Sequence, residues 1–109
     1  INSANSGVNC WVTNLDGSYF NAERSYLNSP CFDFSDLTED PVIEFAIQFL
    51  TETNYDGAWL EMSIDGGSSW EKVGAVGEGL NWYNLNNIFT SLGDVWAGNS
   101  NGWVTARHS

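Results

Sequence analysis

Two segments of the sequence alternate between apolar and other residues, and this pattern restricts them to extended structure. The first runs from Val42 to Leu50 and the second from Ala58 to Ile64. A period of two puts every second side chain on one face of a strand, so each segment is predicted to be a half-buried strand. The shared apolar face, and with it the predicted core, consists of Ile43, Phe45, Ile47, Leu60, Met62 and Ile64. The Asp56-Gly57 turn signal between the segments predicts that they pair as an antiparallel hairpin.

The rest of the chain offers further short strands and no long helix. The additional strand candidates are Cys10 to Thr13, Tyr26-Leu27, Cys31 to Phe34, Trp70 to Val73 and Trp103 to His108. Leu85 to Leu92 is the best helical candidate, but it is short and Asn-rich and fits a strand equally well. Short strands between Gly-, Asn- and Asp-containing turns are typical of antiparallel sandwiches. We therefore predict an all-β chain whose residues 1–109 form one antiparallel, jelly-roll-like β-sandwich.

The charge balance excludes several classes of partner. Three Lys and Arg residues against fourteen Asp and Glu residues give a net charge of -11. Such a chain lacks the cations that bind a phosphate backbone, and anionic membranes repel it. The longest apolar run, Val42 to Leu50, is interrupted by Glu44 and Gln48 and is too short to cross a bilayer. Nucleic acid and membrane insertion are therefore not expected, whereas neutral polymers and divalent cations stay open.

The two cysteines, Cys10 and Cys31, indicate the compartment. An even pair in an acidic, Lys-poor chain is typical of an oxidising environment, so a Cys10–Cys31 disulfide is predicted. Closing a loop of this length stabilises a fold by about 3 kcal/mol in the chain-entropy model. The sequence has no CxxC pair and a single histidine, His108, so a Cys/His zinc site lacks ligands. Together with a start at Ile1 rather than Met, these features predict a mature piece or an excised fragment of a larger secreted or cell-surface protein.

A turn motif follows the second alternating segment. Residues 63–70 fit the S-x-D-x-G-x-x-W pattern of an Asp-box, with Ser63, Asp65, Gly67 and Trp70 at its fixed positions. The carboxylate of Asp65 is expected to accept turn amides, the glycines allow the backbone angles, and Trp70 is expected to fold over the turn. Asp-boxes occur in sialidases on the scaffold, away from the chemistry. The motif therefore indicates a secreted β-protein rather than an enzyme.

Longer stretches on both sides of the motif resemble one family group. Residues 29–34 read S-P-x-F-D-F, and residues 56–70 read D-G-A-x-L-x-x-S-x-D-G-G-x-x-W. Over about Cys10 to Val73 the chain resembles the MAM-like and reelin-repeat-like jelly rolls, in particular the choice-of-anchor modules of large secreted bacterial proteins. The resemblance implies a non-catalytic jelly roll appended to adhesins, peptidases or glycan-degrading enzymes. Family members usually have a strand before the position of Ile1 and an acidic D-D-x-x-[VI] strand after that of Ser109, so a shortened module with an exposed sheet edge is expected.

Calcium is the cofactor that the resemblance implies, since jelly rolls of this kind often hold a structural ion between loop carboxylates and carbonyls. The ion takes about six to eight oxygen ligands. The candidate ligands are Asp16, Asp36, Glu39, Asp40 and Asp56. Their spacing matches no EF-hand loop, and solvated turn carboxylates are the alternative interpretation.

A surplus of aromatic side chains suggests a binding surface. The chain has six Trp and four Tyr residues, more than a small core usually needs. The candidates lie on the polar face of a strand or between asparagines, and they are Trp59, Asn81, Trp82, Tyr83 and Asn84. Sugar rings stack on indole and phenol faces, while Asn amides bond hydroxyl groups. These residues predict a glycan site, and core packing is the alternative for each ring.

The predicted function is that of a non-catalytic extracellular module that binds polysaccharide or glycan. The alternative is a structural or adhesive spacer whose surface docks an adjacent domain of the same protein. Catalysis is not expected, because a Ser-His-Asp triad would have to use His108 near the end of the sequence, and a chain of this size has little mass for a deep cleft. An enzyme fragment acting on sialosides is suggested by the Asp-box alone.

Overall fold

The computed structural model describes residues 4–13 and 24–109, and the chain divides into two compact units. The first unit is Ile1–Glu39 and the second is Asp40–Ser109. Every strand of the described residues lies in the second unit, and none of those residues is helical. The all-β prediction is confirmed for these residues, which also contain no helix able to span a bilayer.

Short strands form three antiparallel two-stranded sheets in the second unit. In chain order they are β1 (Ile43–Ile47), β2 (Glu61–Met62), β3 (Glu71–Lys72), β4 (Leu85–Asn87), β5 (Gly93–Val95) and β6 (Val104–His108). β1 pairs with β6, β2 with β3 and β4 with β5. Single bridges link the segments between the sheets, at Leu50 and Asn99, Ala58 and Trp96, and Leu80 and Arg107. The bridge between the residues before β2 and after β5 connects the two hairpins through backbone hydrogen bonds.

The predicted pairing of the two alternating segments is wrong, because β1 pairs with β6 along its whole length. The residues between the segments do turn, since the amides of Tyr55 and Asp56 both donate to the carbonyl of Glu52, at 3.0 and 2.9 Å. The turn directs the chain to Trp96, where Ala58 forms its bridge. The turn signal was therefore correct, but it leads the chain away from β1.

An aromatic cluster forms the core of the second unit. Its buried members are Trp82, Tyr83, Trp96 and Ala106. The rings of Trp82 and Trp96 meet edge to face with 5.2 Å between centroids, and the Tyr83 ring lies 4.6 Å from that of Trp96. Aromatic pairs of this kind contribute about 0.5–1.5 kcal/mol each beyond the area they bury. The core therefore depends on three large rings more than on aliphatic side chains.

The core predicted from alternation is half right. Three of its six members pack against the aromatic cluster, namely Phe45, Ile47 and Leu60. The other three are exposed, namely Ile43, Met62 and Ile64. Along the segment that contains β2, Leu60 contacts the cluster, whereas Met62 is 47% and Ile64 is 94% exposed. The apolar face of this segment thus continues past the end of the core, which a periodicity argument cannot detect.

Two of the remaining strand predictions correspond to β3 and β6, and the ambiguous segment Leu85 to Leu92 contains β4 rather than a helix. Asn87 in β4 is buried and its side-chain oxygen accepts the amide of Thr90 at 3.0 Å, which fixes the start of the turn to β5. Two of the three residues of β4 are asparagines, which are uncommon in strands, and β4 is short.

The described residues of the first unit form no strand, so the strands predicted at Cys10 to Thr13, Tyr26-Leu27 and Cys31 to Phe34 are wrong. The predicted Cys10–Cys31 disulfide is also absent, since both thiols are free and exposed. Local contacts dominate here, such as the stacked rings of Phe32 and Phe34, 6.0 Å apart. The described residues of this unit contain no backbone ladder and no buried side chain.

Candidate functional site

The hairpin formed by β2 and β3 carries the S-x-D-x-G-x-x-W motif of residues 63–70. Glu61 pairs with Lys72 and Met62 with Glu71 in antiparallel register. The ladder extends one step toward the core, because the amide of Val73 donates to the carbonyl of Leu60 at 2.9 Å. The hairpin is therefore anchored at its base by residues that contact the aromatic cluster, while its turn projects from the unit.

Serine and aspartate side chains fix the turn of this hairpin. The Ser63 hydroxyl donates to Asp65 Oδ1 at 2.7 Å and accepts the amide of Gly67 at 2.8 Å. The amide of Ser69 donates to Asp65 Oδ1 at 2.9 Å, and the Ser69 hydroxyl donates to Asp65 Oδ2. These side chains satisfy backbone groups that a tight turn leaves without a ladder partner. The turn is held by its own sequence rather than by packing against the core.

The same hydrogen bonds keep Asp65 ionised. The hydroxyl of Ser69, the hydroxyl of Ser63 and the amide of Ser69, in this order of effect, lower the pKa of Asp65 from 3.8 to about 2. Donors that contact a carboxylate favour its charged form. The turn therefore carries a fixed negative charge at every physiological pH.

Trp70 lies across the glycine turn as its one large side chain. Gly66 and Gly67 have φ angles of 74° and 95°, which L side chains rarely adopt. A Cβ atom on Gly67 would lie 3.6 Å from Cζ2 of Trp70, so the indole is in contact with the turn. The ring is nevertheless 52% exposed. One part of the indole supports the turn and the rest faces solvent.

The exposed side of the hairpin has a depression lined by both apolar and polar side chains. It has a volume of about 140 Å³ and is lined by Met62, Ile64, Ser69, Trp70 and Glu71, which we call the hairpin surface. Protein cores and interfaces bury such Met, Ile and Trp side chains, and contiguous apolar exposure of this kind marks contact sites. The hydrogen bonds of Ser63, Asp65 and Ser69 fix the backbone that carries this surface.

The hairpin surface has to be interpreted from its own chemistry. Comparisons with protein-family models, with curated proteins and with solved structures found no match. The features that bear on function are therefore the exposure of the hairpin surface, its charge, and the positions of the side chains that the sequence predicted to bind a ligand.

Two of the predicted glycan-stacking residues are buried. Trp82 is 1% and Tyr83 is 4% exposed, so the expectation that they form an open platform is wrong. The Trp82 indole N–H and the Tyr83 hydroxyl both donate to the carbonyl of Val73, at 2.9 and 2.8 Å. The same hydroxyl accepts the amide of Leu60 at 3.3 Å. Their polar atoms bond the base of the hairpin, and burial raises the pKa of Tyr83 above 10.0.

The asparagines predicted to bind sugar hydroxyls are bonded to the backbone instead. The Asn84 side chain donates to the carbonyl of Ala97 at 2.8 Å and accepts its amide at 2.9 Å. Asn81 is exposed, has a φ angle of 50°, and donates to the carbonyl of Thr105 at 2.8 Å. Both residues therefore brace the loop that places Trp82 in the core.

Trp59 is half-buried and belongs to a separate group of contacts. Its indole N–H donates to Glu61 at 2.8 Å, and the ammonium of Lys72 lies 4.9 Å from its ring centroid. Lys72 also donates to the carbonyls of Leu92 and Asp94, at 2.6 and 2.9 Å. Desolvation lowers the pKa of Lys72, opposed by the charges of Asp94 and Glu61. The ring face of Trp59 is therefore covered by a cation that ties the two hairpins together.

The structure does not assemble the candidate calcium ligands. Asp16 lies outside the described residues, Asp36 and Glu39 lie in the first unit, and Asp40 and Asp56 lie in the second. Among residues 4–13 and 24–109, no three His, Cys, Asp or Glu side chains are grouped as a metal site requires. A calcium site stays a prediction.

The residues that form the hairpin surface were assigned to other roles by sequence reasoning. Met62 and Ile64 were placed in the core because of their period, and Glu71 was not singled out. The signal that could have corrected this is the position of Ile64, directly before the Asp-Gly-Gly turn. A side chain at the end of a hairpin extends beyond the elements that support its base, so its period says little about its burial.

Proposed function

We propose that the chain is a non-catalytic extracellular module that docks a neighbouring domain of the same protein through the hairpin surface. The observation that carries the proposal is Ile64, which is 94% exposed beside two other large side chains, Met62 and Trp70. Scattered apolar residues are normal on a protein surface, but a contiguous set on a rigid support is typical of an interface centre.

The composition of the hairpin surface favours a protein partner over a sugar. Met62 and Ile64 are flexible or branched aliphatic groups, which pack well against other side chains and offer nothing to a hydroxyl group. The amides expected to bind hydroxyls, those of Asn81 and Asn84, donate to backbone carbonyls. Interface centres are enriched in Trp and Met, and the hairpin surface contains one of each.

The free energy that burial of these side chains can supply favours a covalently connected partner over a free one. Complete burial of a large apolar side chain contributes about 1.5–3 kcal/mol, and Met62 and Trp70 are already half-buried, so the three side chains together supply roughly 3–6 kcal/mol. Bringing two free molecules together costs about 4–15 kcal/mol. A covalent connection removes most of that cost by raising the effective concentration to about the millimolar range. A neighbouring domain of the same chain is therefore the partner that this surface fits.

The proposal includes the finer architecture. The three small sheets and the bridges that connect them belong to a jelly-roll-like sandwich, and the apolar face that continues from Leu60 past Met62 to Ile64 is the part that a second layer covers. Support comes from the bridges that join the two hairpins and from the edge position of all six described strands. The extracellular location is supported by the acidic composition and by the Asp-box sequence.

Hydroxyl-radical footprinting tests the docking proposal. The sample is the protein in the form that its native source produces. Trp70 and Met62 should oxidise far more slowly than their intrinsic reactivity predicts, whereas Tyr55, an exposed side chain of the same unit, should react normally. Ile64→Asp should restore the oxidation of Trp70, because a carboxylate cannot be buried in an apolar contact. Leu50→Asp is the matched control, since Leu50 is also exposed but lies outside the hairpin surface. Full reactivity of Trp70 in the unaltered protein would overturn the proposal.

Glycan binding is the second candidate, and the half-exposed ring of Trp70 is the observation that favours it. A flat indole with Ser69 and Glu71 at its edge offers one stacking face and polar neighbours. Affinity electrophoresis in polysaccharide gels tests it, with Trp70→Ala as the informative variant. Trp82→Ala is not informative, because removing a buried ring costs about 3–5 kcal/mol of stability and would abolish binding of any kind.

A further inference from the structure

The charge around the hairpin surface identifies the chemistry of its partner. The hairpin from Glu61 to Lys72 carries three carboxylates and one ammonium. Glu71 lines the depression itself, and Asp65 is held ionised in the turn by its serine partners. Glu71 therefore brings negative charge to the depression itself, and Asp65 brings it to the adjoining turn.

The one cation of the hairpin does not neutralise this border. The Lys72 ammonium is 2.6 Å from the carbonyl of Leu92 and 2.9 Å from that of Asp94, so it is turned into the unit. Glu61, its cross-strand neighbour, accepts the Trp59 indole N–H at 2.8 Å, so its carboxylate already has a partner. Glu71 and Asp65 thus remain as the charges that a docked partner would meet.

The net charge of the whole chain, -11, also disfavours an acidic partner. It adds a long-range repulsion to the local one. A second copy of this chain is disfavoured for the same reason. Electrostatic complementarity at an interface rim selects the partner and fixes its register, even where the apolar centre supplies most of the affinity.

We propose that the segment docked on the hairpin surface presents apolar side chains flanked by Lys or Arg, one of which pairs with Glu71. This inference rests on the proposed docking function and adds the partner's charge to it. The cation contacts Glu71 at the rim of the depression, while the apolar side chains contact Met62, Ile64 and Trp70 at its centre.

Footprinting of Trp70 in the native protein, repeated with charge variants, tests the inference. Glu71→Lys should weaken docking about tenfold, the effect of losing one close charge pair, and Trp70 oxidation should rise accordingly. Asp33→Lys makes an equal change of net charge at an exposed residue of the first unit and should leave Trp70 protected. In the unaltered protein, about 1 M NaCl shortens the screening length to about 3 Å and should raise Trp70 oxidation without any mutation.

The possible outcomes separate the two proposals. If Ile64→Asp exposes Trp70 while Glu71→Lys and high salt do not, docking stands and the basic partner is refuted. If Trp70 is equally reactive in every variant and in the unaltered protein, the docking function itself fails.

Carbodiimide coupling, which joins a carboxylate to a contacting lysine amine, gives a direct readout. A Glu71 cross-link to a lysine outside this chain's 109 residues supports the inference, and a salt effect without a cross-link assigns the cation as arginine.

Discussion

Tyr83→Phe is the substitution that isolates one hydroxyl group of the core. The ring contacts with Trp96 and Trp82, at 4.6 and 5.6 Å between centroids, are kept because phenylalanine has the same ring. What is lost is the hydroxyl that donates to the carbonyl of Val73 and accepts the amide of Leu60. These two backbone groups lie at the base of the Asp-box hairpin, so the variant measures how strongly the core holds the hairpin.

The magnitude follows from which groups lose their partner. The Val73 carbonyl keeps the indole N–H of Trp82 at 2.9 Å, so it stays satisfied. The amide of Leu60 is left without its acceptor, and an unsatisfied donor of this kind costs about 1–3 kcal/mol when buried. Because Leu60 is only half-buried, we expect about 1–2 kcal/mol, or a decrease in Tm of roughly 5–15 °C for a unit of this size.

Calorimetry and denaturant unfolding would measure the effect, with Tyr55→Phe as the control, since Tyr55 is exposed. Desolvation raises the pKa of Tyr83 above 10.0, so above that pH the unfolded state loses the proton first and the free energy of unfolding falls as pH rises. Tyr83→Phe should remove this contribution from the alkaline slope. Equal stability of the two variants would refute the role assigned to the hydroxyl and show that the Leu60 amide finds another acceptor.

Three further substitutions test other contacts. Lys72→Met should lower the free energy of unfolding by about 1–3 kcal/mol in denaturant titrations, because two charge-assisted hydrogen bonds to carbonyls are lost. Asp65→Asn should remove a stabilisation that is present above pH 3.8 and lost as the pH falls toward about 2, so acid titrations of the two proteins should diverge above that range and converge below it. Gly79→Ala should destabilise more than Gly102→Ala in thermal unfolding. Both have positive φ angles, but only at Gly79 would the Cβ collide with a backbone atom, the carbonyl oxygen of Arg107.

Local signals were sufficient for the hairpin. Its strands and its turn lie within one short stretch, and the residues at the turn, Ser63, Asp65 and Gly67, form most of their contacts with one another. Sequence patterns report such interactions directly because both partners lie in the window that defines the pattern. The strand β6 was also predicted from its own sequence, but its pairing with β1 was not.

The pairing of β1 and the burial of Trp82 and Tyr83 depend on residues far away in the sequence. β1 joins β6 across nearly the whole second unit, and no local feature of either strand encodes that choice. Trp82 and Tyr83 looked exposed because asparagines and glycines surround them. Those asparagines instead bond backbone groups at Ala97 and Thr105, which turns the two rings inward. A polar neighbour indicates solvent only when its own hydrogen bonds are not satisfied by the fold.

The pairing of β1 with β6 has a consequence for how the molecule forms during synthesis. The hairpin can assemble as soon as its own residues leave the ribosome, whereas the first strand waits for the last one to emerge, and such distant contacts form slowly. Until then Phe45 and Ile47 lack their partner strand. Unpaired apolar strands bind chaperones and are prone to aggregate. A nascent chain halted before Val104 would therefore contain the β2–β3 hairpin but would expose the apolar side chains of β1. Whether such a chain aggregates would depend on how soon β6 is synthesised.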